Sequence, residues 1–135
     1  MGVVSILNRL SIKKPIKDRL IKEIDSVERA LTIVFRDIAC EKNQMLYPAF
    51  ISTLSHTEHQ AMIIASAKEL MQHLHALIFT TQTQSSTTEL QDLAQAATSL
   101  EKFISDYEQN DQVLSHVLLA CSSIKINLEK FRSNL

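Results

Sequence analysis

The sequence predicts an all-α protein, an antiparallel up-down-up-down four-helix bundle with a short N-terminal helical extension, on three observations. Apolar residues recur every three or four positions through most of the chain. That spacing draws a stripe along a helix, which a strand with its period of two does not produce. The 135 residues include one Gly and two Pro, little material for tight turns or hairpins. The stripes are separated by short or moderate breaks, and short connections make successive helices antiparallel neighbours. A chain of this length forms one domain with a substantial core.

Residues 1–13 carry Val3, Ile6, Leu7 and Leu10 at helical spacing, with Arg9, Lys13 and Lys14 alongside. They read as a short amphipathic helix folded against the bundle, or, alternatively, as a segment that meets a membrane or a partner. Pro15 suits the first turn of a helix over residues 15–43, where its missing N–H is not needed. Leu20, Ile24, Val27, Leu31, Val34 and Ile38 form the stripe of that helix. At about 1.5 Å per residue it runs roughly 43 Å, too long to stand alone in water, so the stripe must be covered. Its outer side shows Asp18–Lys22 and Asp25–Arg29 four residues apart, acid first, the favourable order for an ion pair. Lys22, Arg29 and Arg36 recur every seven residues and read as a solvated face, two of them with an acid one turn back.

Residues 44–54 are too apolar for an ordinary exposed connection. They form either a lid over the bundle end or a binding patch with Tyr47, Phe50 and Ile51 as anchors. Ser55-His-Thr-Glu58 has the form of a capping box, and helix two starts there or runs back to Pro48. Its stripe is Ile63, Ala67, Leu70, Leu74 and Leu77, ending near Thr80. Residues 80–88, TTQTQSSTT, read as a flexible polar linker open to proteolysis. Ser86-x-x-Glu89 is a second capping box, followed by Leu90, Leu93, Ala97, Leu100, Ile104 and Tyr107. After a break at residues 108–111, with Asn110 or Asp111 as N-cap, the last stripe is Leu114, Val117, Cys121, Ile124, Leu128, Phe131 and Leu135.

With 14 basic and 15 acidic residues, net charge points to no particular partner. Five Phe, two Tyr and no Trp offer no stacking platform for nucleic acid. No apolar run spans a bilayer, Asn8 and Arg9 break the N-terminal apolar stretch too early for a signal core, and Ile6 stands where a myristoylation motif needs Ser or Thr. Cys40 and Cys121 have no metal-motif spacing, and Cys121 falls on an apolar stripe, so a reducing, cytoplasmic setting is expected.

The predicted topology assigns each helix end to one pole. Lys13, Lys14, Lys17, Arg19, Lys125, Lys130 and Arg132 gather at one, and Asp37, Glu41, Glu58, Asp106, Glu108 and Asp111 at the other. Cations near a helix N-terminus oppose its dipole, and a local rule broken without structural gain points weakly to function. The basic pole is therefore a candidate for docking an acidic protein or a phosphate-bearing lipid.

Catalytic and metal readings find less in the residues. His56 and His59 stand three apart near Asp37, Glu41, Asp106 and Asp111, an end-on metal site at most, since the stripes are apolar through their middles. From His116, the segment HVLLACSS is superficially similar to the phosphorylation site of histidine phosphotransfer domains, His-x-x-Lys-Gly-Ser. Leu119 and Ala120 stand where that family places Lys and Gly, which leaves a phosphoryl group without a local cation. There is no Gly-rich phosphate loop and no Gly-x-Ser-x-Gly elbow. The expectation is a non-enzymatic interaction module without cofactor: an adaptor, a secretion-associated chaperone or a small effector, self-association included. Its partner-binding residues would be Tyr47, Phe50 and Ile51 for apolar contact and Lys13, Lys14, Lys17, Arg19, Lys130 and Arg132 for charge. A peripheral membrane protein docking through residues 1–13, and a metal-binding or phosphotransfer bundle, are the alternatives.

Overall fold

The structure, a computed structural model, describes residues 14–42, 55–82 and 88–133. Within them are four α-helices and one 3-10 turn: α1 (Lys14–Lys42), α2 (His56–Gln82), α3 (Thr88–Tyr107), the 3-10 turn Asp111–Val113 and α4 (Leu114–Ser133). There is no strand among the described residues. The N-terminal extension expected over residues 1–13 and the apolar segment 44–54 lie outside them.

The all-α prediction holds, and the stripes are its reason. Every predicted stripe residue of α1, α2 and α3 is buried, as are Val117, Cys121, Ile124, Leu128 and Phe131 of α4; Leu114 is partly buried against them. All the buried ones but Leu90 meet in one cluster shared by all four helices, with Ile64, Met71 and Ile78 packed at its edge. Each fully buried Leu or Ile contributes about 1.5–3 kcal/mol of transfer free energy, which long helices need because propensity alone does not hold them. The stripe pattern could not reveal the small residues Ala30, Ala96 and Ala120, which are also buried where helices approach closely.

Polar contacts fix the directions of the helices. Arg132, at the end of α4, reaches Asp25 in the first half of α1 and Glu28 at its middle. Thr80, in the last turn of α2, donates to Glu23 of α1 at 3.1 Å. Gln60, at the start of α2, donates to the Tyr107 carbonyl at 2.9 Å and to Asp111 at 3.0 Å. Starts therefore lie beside ends, as an up-down-up-down bundle requires. The α1–α2 and α3–α4 pairs pack most extensively, and α2–α3 and α1–α4 form thinner seams.

Local chemistry sets the ends. The Ser55 capping box closes both ways, with the Glu58 amide donating to Ser55 Oγ at 3.1 Å and the Ser55 amide to Glu58 Oε1 at 3.0 Å. This starts α2 at His56 rather than at Pro48. Asn110 is the second cap: its side chain accepts from the Gln112 amide at 3.0 Å. One boundary needs correcting. The polar run expected as linker from residue 80 is helical as far as Gln82. Thr81 returns its hydroxyl to the Leu77 carbonyl at 2.9 Å, Thr80 bonds Glu23, and both are buried. Ser86, the first residue of the other predicted box, lies outside the described residues.

Candidate docking surfaces

The core is mostly aliphatic, with Tyr107, Cys121 and Phe131 among its members, and no group of three or more His, Cys, Asp and Glu among the described residues could hold a metal ion. The histidines considered as ligands are spread out: His59 is buried, while His116 is exposed and stacks on Phe103 at 5.2 Å between ring centroids. His73 sits 3.9 Å from Glu69 and His75 3.9 Å from Glu101, both on the surface. The two thiols are free and buried. Burial pushes the Cys121 thiol up to about 12, and burial together with the Asp37 carboxylate raises that of Cys40, which disfavours the thiolate at both.

Of the predicted basic pole, Arg19 and Arg132 are paired with carboxylates of α1. Lys14 lies in the first turn of α1, Lys17 is half-buried, and Arg19 pairs with Glu23 at 3.4 Å. Arg132 is shared between Asp25 and Glu28, and this contact raises its already high pKa, chiefly through the hydrogen bond to Asp25. Lys125 and Lys130 are exposed on α4. The sequence-based tally counted cations at the helix ends and missed the carboxylates one turn further in. Lys13, Tyr47, Phe50 and Ile51 lie outside the described residues. The acidic pole also has structural work: Glu58 caps α2, Asp111 accepts from Gln60, Glu108 pairs with Lys68 at 3.3 Å, and Asp37 is buried with Arg36 on its Oδ1.

The outer face of α1 differs from that expected of it. Neither predicted ion pair forms, because Asp25 turns across the seam to Arg132 and Asp18 is not within pairing distance of Lys22. Arg29 is left with one hydrogen bond, to Ser26 Oγ at 3.2 Å. Lys22, Arg29 and Arg36 are all exposed, and Ile33 stands among them with 40% of its surface in solvent. Beside this line a groove of about 190 Å³ runs between α1 and α2, lined by Ser26, Arg29, Ala30, Ile33, Ser66, Glu69 and His73.

The other large apolar side chains in solvent among the described residues are Phe79 on α2, 70% exposed, and Leu119 and Ile126 on α4, 66% and 56% exposed. Leu119 and Ile126 are seven residues apart and project from one line of α4, on the side away from its buried stripe. A second groove, about 160 Å³, follows the thin α1–α4 seam past Leu31, Phe35 and Leu128. No described helix is long and apolar enough to cross a membrane. No known family model, curated protein or solved structure is significantly similar to the chain.

Proposed function

We propose that the chain is a non-catalytic protein–protein interaction module, an adaptor, secretion-associated chaperone or small effector that works by presenting rigid helix faces. One observation carries this reading: the core is already filled with aliphatic side chains, yet Leu119 and Ile126 stand in water on one line of α4. Scattered apolar residues are ordinary on a surface. Two large ones a heptad apart on a single helix match the spacing by which one helix recognises another. The apolar residues Tyr47, Phe50 and Ile51 belong to the same reading as a second contact, and two free buried thiols suit a reducing cytoplasmic setting.

The test is affinity purification from the native cell with the wild-type chain, a Leu119→Asp/Ile126→Asp variant and a Phe50→Asp variant, each checked for helicity. Selective loss of a reproducible partner from a variant that keeps its helix content supports the module and locates its contact. Identical partner sets for all three proteins overturn the assignment of these faces.

A further inference from the structure

We infer that the outer face of α1 docks an acidic amphipathic helix of a partner protein, with Lys22, Arg29 and Arg36 meeting its carboxylates and Ile33 meeting its apolar edge. This rests on the reading of the chain as an interaction module, but not on the α4 face. Seven residues are almost two helical turns, so the three cations lie about 10.5 Å apart along one nearly straight line. A second helix laid alongside repeats its own side chains at the same interval, so carboxylates a heptad apart would meet all three at once.

The tertiary structure leaves this charge available. Asp25 is in the right place to neutralise Arg29 within the helix, but α4 takes it through Arg132. Arg29 then holds only the Ser26 hydroxyl, which itself donates to the Lys22 carbonyl at 3.1 Å. Lys22 has no ion pair among the described residues, and Arg36 directs Nε and Nη2 to a single oxygen of Asp37. Guanidinium groups suit carboxylates because their forked donors match both oxygens. Ile33 is four residues after Arg29 and three before Arg36, so it lies on the same face, and the groove beside it admits an apolar side chain. Of the acids bordering the line, Asp25 is held by Arg132 and Asp37 by Arg36, while Asp18 is exposed one turn before Lys22 and Glu69 lines the groove 3.9 Å from His73. Among the described residues, Lys22 and Arg29 thus keep cationic groups without a carboxylate beside the apolar Ile33, which an acidic helix with an apolar edge complements.

The experiment titrates the full chain against a labelled synthetic helical peptide of about 20 residues, with Glu at three positions seven apart and Leu one turn away on the same face. Fluorescence anisotropy reads binding, and a control peptide carries Lys in place of Glu. The acidic peptide should bind at least about tenfold more tightly than its control and weaken as salt rises. Lys22→Glu/Arg29→Glu should reduce its affinity at least about tenfold, while Lys125→Glu and Leu119→Asp/Ile126→Asp leave it unchanged. Equal affinity for the two peptides, no binding of the acidic one, or an equal loss with Lys125→Glu overturns the inference. So does sedimentation showing a dimer that Ile33→Asp dissociates, which would make the occupant a second copy. Binding to anionic vesicles that the double charge reversal abolishes would likewise replace the protein helix with a lipid surface. All substituted positions are exposed, so circular dichroism should show unchanged helicity.

Discussion

Along the first half of α1, beside the end of α4, the helices are tied by charge: Arg132 bridges to Asp25 and Glu28, Arg19 pairs with Glu23, and Thr80 bonds Glu23 from α2. At the opposite end the ties are mostly hydrogen bonds to backbone and caps, with Ser55 and Glu58 closing α2, Gln60 reaching the end of α3 and one ion pair, Lys68 with Glu108. That second end also buries polar groups, Asp37 and His59, under which the apolar core continues unbroken. The comparison teaches that a cluster of like charges in the sequence does not mark free charge in the fold. At the end richest in cations Arg19 and Arg132 are compensated from within, whereas Lys22 and Arg29 on the outer face of α1 hold no carboxylate among the described residues.

The strongest way to break this contrast is to ask whether the ends differ in their core. Ile24 lies in the first half of α1, toward the charged end, and Ile63 near the capped end; both are fully buried. Each truncated to Ala should lose about 2–5 kcal/mol in denaturant unfolding, through lost burial and the cavity left behind. Similar losses confine the difference to the polar layer; a loss under about 1 kcal/mol at one end would show a loose core there.

The capped end is tested next. Ser55→Ala should cost about 1 kcal/mol by removing the N-cap acceptor. The Ser55 amide, followed by its hydroxyl, holds the Glu58 carboxyl below its ordinary value. Because the folded value is the lower one, the contact stabilises the fold above the ordinary carboxylate range and is lost as pH falls through the depressed value. Glu58→Gln should flatten that part of the acid limb of the stability profile, and an unchanged limb would remove Glu58 from the cap's pH response.

The smallest effect is expected at the charged end. Arg132 is part-exposed, so Arg132→Met should destabilise by less than about 1 kcal/mol, and less still at high salt. Its sharper consequence is positional. With Arg132 gone, Asp25 is free to turn to Arg29 one turn along α1, and acidic-peptide binding should fall although no residue of the docking line has changed. Unaltered peptide binding would show that Asp25 does not govern the charge on that face.

Much of the architecture was legible from residue order because its causes are local or periodic. Stripes at three- and four-residue spacing named nearly the whole core, and Ser55 and Asn110 named two helix starts, since a cap depends on neighbours two or three positions away. The end of α2 was misjudged because Thr80 and Thr81, polar in sequence, are held by the Leu77 carbonyl and by Glu23 of another helix. Of the candidate contact residues, pattern reading named Arg132 and Arg19 for their charge, not foreseeing the carboxylates they would meet. It set aside Lys22, Arg29 and Arg36 as a solvated row.

What the sequence determined alone was a four-helix chain with an aliphatic interior, because burial and periodicity act in the same direction along every helix. What only the tertiary structure decided was the pairing of charges. An ion pair within a helix is worth a few tenths of a kcal/mol, so a carboxylate such as Asp25 goes to whichever cation a neighbouring helix brings beside it. The order of the residues cannot rank that competition, because Arg132 stands more than a hundred positions away from Asp25.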